Sequence, residues 1–360
     1  MLDYEESKKH LQLLIEVLNN DQPDLVLIAI KSLFDILLIY GKLFIKEEQE
    51  KNEMKVVVPG TNEEHSLIEL NPTNVPSISS IFQLLKKFLH DEDIEFQTIA
   101  VEGFTKLLFN NVIKDPSIFN DIVLLFFDPS SEDAIVMRQC LSLFFPVYSF
   151  SSYQNQLFIQ SQFIPIVRSI LYAPTSSSIR KIQLATVAQF LVYLTNTNNL
   201  QKKTENSRES VSVPSRPLIH NEMCISLLYE ILANPTGSEG KSLSKVLSMF
   251  VLQSHHDSTI KTIRYLMEKL VGEVEDKVAL RTLNKFESSL VALDTSPDET
   301  LSVEKKEKID AQIQSHKEEK TEEEINIISG NKSNNKRQPA KKGIGFYLCK
   351  YNIINTYISN

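Results

Sequence analysis

A chain whose most apolar region runs Met137-Arg-Gln-Cys-Leu-Ser-Leu-Phe-Phe-Pro146 has few folds open to it. On a helix turning about 100° per residue, Val136, Met137, Cys140, Leu141, Leu143, Phe144, Val147 and Tyr148 cover a broad arc. Arg138, Gln139, Ser142 and Pro146 share the opposite side. An arc so wide is expected to be covered by neighbouring helices on two or three sides. The surroundings are punctuated like paired helices. Glu102-Gly-Phe-Thr-Lys-Leu-Leu-Phe109 closes one helix, Asp128-Pro129 breaks a second, and a third is expected over 131–149. On the first of these helices, over 93–109, Glu95, Thr98, Glu102, Thr105 and Lys106 form a polar face, opposed by Phe96, Ile99, Ala100, Gly103, Phe104 and Leu107. Gly103 lacks a Cβ, so another helix is expected to approach closely there.

The same reading extends along the chain. Helices are expected over 3–19, 23–40, 77–89, 93–109, 115–127, 153–172, 178–197, 218–233, 239–253, 256–272 and 275–294. Helix pairs recur about every 40 residues, the period of HEAT or armadillo repeats. Nine glycines and few alternating segments also favour an all-α chain. The expected fold is an α-solenoid of HEAT-like helical pairs with disordered insertions and a disordered C-terminal tail. Its divisions are an N-terminal helical pair (1–45), a flexible insertion (46–75), repeats (76–197), a flexible loop (198–217), repeats (218–295) and a tail (296–360). Charged, Pro-, Asn- and Thr-rich segments cannot offset the entropy of ordering. Residues 343–360 change character again and read as translated non-coding sequence or a misjoined exon, and the chain as a partial gene model, a fragment or a shortened form.

Chemistry is scarce. The sequence has no phosphate-binding glycine loop, no Gly-x-Ser-x-Gly and no His-Glu-x-x-His, so no enzyme and no cofactor is expected. His255-His256 reads as a solvated turn, Cys140 as core, and Asp91, Glu92, Asp93 and Glu95 as charges at a helix start. Cys140, Cys224 and Cys349 make no disulfide framework, which fits a reducing compartment. No run is apolar and long enough to suggest a membrane partner. The formal net charge of −8 leaves no global basic field, so any contact with nucleic acid must come from a local patch.

Three segments together carry a resemblance: Glu102-Gly-Phe-Thr-Lys-Leu-Leu108, Leu125-Phe-Phe-Asp-Pro129 and Arg138-Gln-Cys-Leu-Ser-Leu-Phe-Phe-Pro-Val-Tyr148, followed by Asn155-Gln156 and Phe163-Ile-Pro165. In order and spacing they resemble the C-terminal HEAT-repeat region of the CAP-G family, the non-SMC subunit 3 of condensin, over roughly residues 76–290. The resemblance implies a non-catalytic regulatory subunit of mitotic chromosome condensation, in the nucleus and on chromosomes, and in the cytoplasm outside mitosis. Its implied partners are the kleisin subunit CAP-H, the SMC ATPase pair through that kleisin, and double-stranded DNA without regard to sequence. Candidate DNA contacts are Lys106, Arg138 and Lys181, expected on the second helices of successive repeats, with Lys86, Lys87, Arg168 and Arg180 as further basic positions. For each, the competing role is a solvated charge or an arginine bonding carbonyls between repeats. The alternative function is a HEAT-repeat scaffold or transport adaptor without a DNA role.

Overall fold

The computed structural model describes residues 3–18, 22–55, 77–200, 218–235, 237, 240–253, 257–293 and 301–330. Among them run thirteen α-helices and no strand. These are α1 (Tyr4–Val17), α2 (Pro23–Lys55), α3 (Ile78–Lys87), α4 (Ile94–Phe109), α5 (Pro116–Phe127), α6 (Ile135–Ser151), α7 (Tyr153–Leu171), α8 (Leu184–Leu194), α9 (Ile219–Ala233), α10 (Gly240–Leu247), α11 (Asp257–Glu273), α12 (Lys277–Leu293) and α13 (Val303–Gly330).

The helices begin where short polar side chains can cap them. Asp3, Ser77, Asp93, Asp115 and Ser152 each accept a hydrogen bond from a backbone N–H of the first turn, and Pro116 occupies a position where no N–H is needed. Once started, each helix buries one arc between two layers. In one layer α5 packs on α7, α7 on α9 and α9 on α11. In the other α2 packs on α4, α4 on α6, α6 on α8, α8 on α10 and α10 on α12. This is an all-α solenoid, with one continuous core between the layers. At its centre Phe145 meets Phe119 edge-on at 6.0 Å and Phe190 at 5.3 Å.

Polar ties cross the repeats. Asp128 is buried between α5 and α6: its Oδ1 accepts from Ser130 N–H at 2.8 Å, and Ser178 Oγ donates to its Oδ2 at 2.6 Å. The Arg138 guanidinium donates to the Asp128 and Ser131 carbonyls at 2.9 and 3.0 Å. Asn155 and Gln156, both buried, donate to carbonyls at the ends of α6 and α8: Asn155 to Tyr148 at 2.8 Å, Gln156 to Leu194 at 3.1 Å. Carbonyls at helix ends lack intrahelical partners, so these amides satisfy what the fold leaves open.

Several expectations are corrected. Helix α2 continues to Lys55 into the expected insertion, because Glu47 pairs with Lys8 of α1 at 2.9 Å and Glu48 accepts from the Ile78 N–H at 3.2 Å. The expected helix 178–197 is split into a 3-10 turn over Ser178–Lys181 and helix α8. The expected disordered tail is helical over α13, which lies across α9 and buries Ile309 and Ile313. That burial contributes roughly 1.5–3 kcal/mol per side chain. Residues 56–76, 201–217, 331–360 and the pair His255-His256 lie outside the described residues. Thr105, read as polar surface, is buried against α6, with its Oγ1 3.8 Å from Cys140 Sγ.

Gly103 has the close neighbour its sequence position implied. A Cβ there would stand 2.3 Å from the Phe34 ring of α2, and Phe34 in turn packs edge-on against Phe104 at 5.0 Å. Gly103→Ala must therefore push α2 away, at a cost of about 1–3 kcal/mol for an overpacked core, read as a lower urea midpoint. An unchanged midpoint would show that the α2–α4 contact yields freely.

A second prediction concerns His220, buried where α8, α9 and α10 meet. Its Nδ1 accepts from the Val251 N–H at 3.1 Å, which leaves the proton on Nε2, 3.1 Å from the Val192 carbonyl. Both nitrogens are used by the neutral ring, and burial holds its pKa below the ordinary value. The unfolded chain takes up the proton first, near about pH 6.5. The stabilisation is thus complete above that value and is lost as pH falls through the depressed folded pKa. Urea midpoints should fall between about pH 7.5 and 5.5 in the wild type and more weakly in His220→Gln. Equal slopes in both would remove His220 as the cause.

Candidate partner-binding face

Most apolar arcs in this chain are consumed by the core, but α6 has more than the core can take. Met137, Leu141, Phe144, Phe145 and Tyr148 point between the layers. Val136, Leu143 and Val147 do not: they are 61%, 62% and 46% exposed. At spacings of seven and four they make a stripe on the free side of the helix. Neighbours do cover α6 on several sides, as expected, but part of its apolar arc faces water, which corrects the expectation that the whole arc is covered. In an array a helix has neighbours in its own layer and across the core, and its remaining side is bare. Two helices away in the same layer, α2 repeats the pattern with Leu25, Ile28, Ile39 and Leu43 exposed. Between them α4 presents Glu95, part-exposed Glu102 and exposed Lys106. Isolated exposed aliphatics are ordinary, whereas aligned stripes on helices of one layer mark a surface suited to a partner.

Farther along the same layer the chemistry changes sign. Helix α10 exposes Lys241 and Lys245, and α12, packed against it, exposes Lys277, Arg281 and Lys285. Each set steps by four residues, so each forms a row along its helix. The two rows start side by side, since the Lys241 charge helps hold the Asp276 carboxyl below its usual pKa. The larger cause of that shift is the pair of hydrogen bonds Asp276 accepts from the Ala279 and Val278 N–H groups at 2.7 and 2.8 Å, which cap α12. Glu275 and Asp276 stand at the start of α12 and Glu287 lies along it, so five cations face three carboxylates and this part of the layer is net basic. Sequence reasoning did not single out these five. The readable signal was Lys277-x-x-x-Arg281-x-x-x-Lys285, one turn apart on an otherwise amphipathic helix.

The positions named from sequence are scattered. Lys106 and Lys181 are exposed, the latter on the turn before α8, and Lys87 is exposed at the end of α3. Arg138 is engaged with the carbonyls that close the α5–α6 corner. Lys86 lies in the other layer, paired with Asp121 of α5 at 3.1 Å and bonded to Ser117 at 2.9 Å. Arg168 of α7 holds the buried Glu230 of α9 at 2.9 Å, an ion pair inside the first layer. Arg180 donates to the Leu171 carbonyl. Lys106, Arg138 and Lys181 thus do not stack as three solvent-facing charges. Among the described residues no group of three or more His, Cys, Asp or Glu could hold a metal, and no helix is long and apolar enough to cross a membrane.

The human protein named condensin complex subunit 3 is 29% identical over 288 residues, covering 79% of this chain and 27% of that protein. Its Xenopus laevis counterpart is 26% identical over 298 residues, covering 79% and 28%. The chain therefore spans about a quarter of the length of these relatives. Among solved structures, the fold is similar to a chain of the S. pombe condensin Cnd3–Cnd2 subcomplex, with a TM-score of 0.61 at 22% identity, over 81% of this chain and 35% of that one. The family model described as nuclear condensing complex subunits, C-terminal domain, matches residues 1–252. With the greater part of its length matched, the chain belongs to that family of condensin subunit 3 proteins.

Proposed function

We propose that this chain serves as a non-catalytic regulatory subunit of condensin, docking a kleisin segment on the apolar half of its second-layer face and DNA backbone on the basic half. The observation that carries this reading is the division of one helical layer into aliphatic stripes on α2 and α6 and cationic rows on α10 and α12. Support also comes from the relatives named condensin complex subunit 3 and from the similar fold in a Cnd3–Cnd2 subcomplex. A kleisin segment lying along α2 and α6 would bury aliphatic side chains that otherwise face water. Through that kleisin the chain would join the SMC ATPase pair, and it would work in the nucleus on mitotic chromosomes. On the basic half, lysine and arginine meet phosphates, which are the same for every sequence, so binding would be independent of base order. Lys87, Lys106 and Lys181 are outlying contacts in this reading. Arg138 and Arg168 act instead as ties of the fold.

Two measurements test the halves separately. Leu143→Asp with Ile39→Asp places charge on exposed positions, so the fold should persist while affinity for the kleisin partner drops at least tenfold, the scale of a lost interface anchor. Retained affinity in a folded double variant would move the kleisin site elsewhere. For DNA, Lys245→Glu, Arg281→Glu and Lys285→Glu together should weaken binding equally on unrelated duplexes and flatten the salt slope by about one unit per lost contact. An unchanged slope in a protein whose wild type binds would exclude this row.

A further inference from the structure

Helix α13 lies outside the two layers and is held by few buried side chains. Helix α13 lies over α9 and α11. Of its described side chains only Ile309 and Ile313 are buried. The remaining attachments are hydrogen bonds, ion pairs and one ring stack, of which those of Tyr265, Lys269 and Lys317 lie toward solvent and those of Tyr229 are partly buried. Tyr265 Oη donates to Asp310 at 2.9 Å, and Lys269 approaches the same carboxylate at 3.3 Å. Tyr229 Oη donates to Gln312 Oε1 at 2.6 Å, and the Tyr229 ring stacks on His316 with centroids 5.2 Å apart. Lys317 pairs with Glu273 at 3.0 Å.

The surface beneath α13 is thus a groove with readable requirements. It offers an apolar floor for two branched residues one turn apart. Two tyrosine hydroxyls and Lys269 serve an acid and a carboxamide, and Glu273 serves a base farther on. Helices bind in such grooves by this kind of periodic anchoring. Helices α6 and α7 each commit five or more side chains between layers, whereas the terminal helix α1 commits only Ser7 and Leu11. Helix α13 commits two, with ion pairs that cost little to break in water.

We propose that the α9–α11 groove is a docking site for an amphipathic helix of a partner protein, and that α13 is its tethered, exchangeable occupant. The partner helix would carry the chemistry α13 displays: an aliphatic pair at positions one and five, an acid at two, a carboxamide at four and a base at nine, as in Ile309-Asp-Ala-Gln-Ile-Gln-Ser-His-Lys317. Because the tether keeps α13 at high effective concentration, a partner enters only when it binds more tightly or when α13 is weakened. This goes beyond the kleisin and DNA reading, since the groove lies on the other layer.

The test uses the full-length chain and a fluorescent peptide of residues 301–318 as probe. In Ile309→Asp/Ile313→Asp, which frees α13 without touching the groove, the peptide should bind at least tenfold more tightly than to the wild type. Adding Tyr229→Phe and Tyr265→Phe should weaken that binding again. Hydrogen exchange on the wild type gives a second readout, with amides of 303–318 expected to exchange well ahead of those in α9 and α11. Equal protection of α13 and α9, or loss of the whole solenoid on freeing α13, would make it an integral helix and overturn the proposal. A concentration-dependent doubling of mass in the wild type would also overturn it, by giving the groove to a second copy's α13.

Discussion

The structure depends on each helix burying one arc between two layers, because no helix in an array has a core of its own. Met137, Leu141, Phe144, Phe145 and Tyr148 of α6 meet α5, α7 and α8, and the same relation repeats from α2 to α12. Nearest neighbours supply the burial, so stability is close to a sum over adjacent contacts. The polar ties matter for a different reason. The Arg168–Glu230 pair and the Asp128–Ser178 bond contribute little net energy when made, but removing the Arg168 or Ser178 side chain strands a buried carboxylate. They fix how neighbouring helices sit on one another more than they hold the layers together.

Helix by helix, the fold was legible wherever that burial leaves a periodic trace. Helices α3, α4, α5 and α7 show it strongly and start at or within one residue of their expected positions, where Ser77, Asp93, Asp115 and Ser152 cap them, whereas α6, with no capping side chain, starts at Ile135 and not at 131. Helix α13 was missed because two buried isoleucines among charged residues leave almost no apolar period. A signal did exist elsewhere. Helix α9 buries residues on nearly every side, including Tyr229 and Glu230, and a helix apolar all round needs a cover beyond its own layer. The end of α2 was missed for another reason: charged residues 46–50 are helical through contacts with α1 and α3 that no local pattern encodes.

The candidate face was harder to read than the fold. Sequence periodicity tells how many apolar positions a helix has, but not how many its neighbours can cover. Counting all of α6 as core was the natural reading, and the surplus became visible only once neighbours were placed. Arg138 shows the converse. As a basic residue on a polar edge it resembled a phosphate contact, while the carbonyls it serves lie seven and ten residues earlier, at a corner the sequence marks only by Asp128-Pro129. Charges free for a ligand are those the fold has no use for, and that is a statement about every neighbour at once.

Gly103 sets a dimension as well as a contact. With the Phe34 ring lying where a Cβ would be, α2 rests against the α4 backbone. The spacing between the aliphatic stripes of α2 and α6 is the sum of two helix-to-helix distances, and one of these is as short as a missing methyl group allows. A strip of chain lying across both stripes would therefore span a gauge fixed by one hydrogen atom, and widening it would misalign every anchor on the far side together.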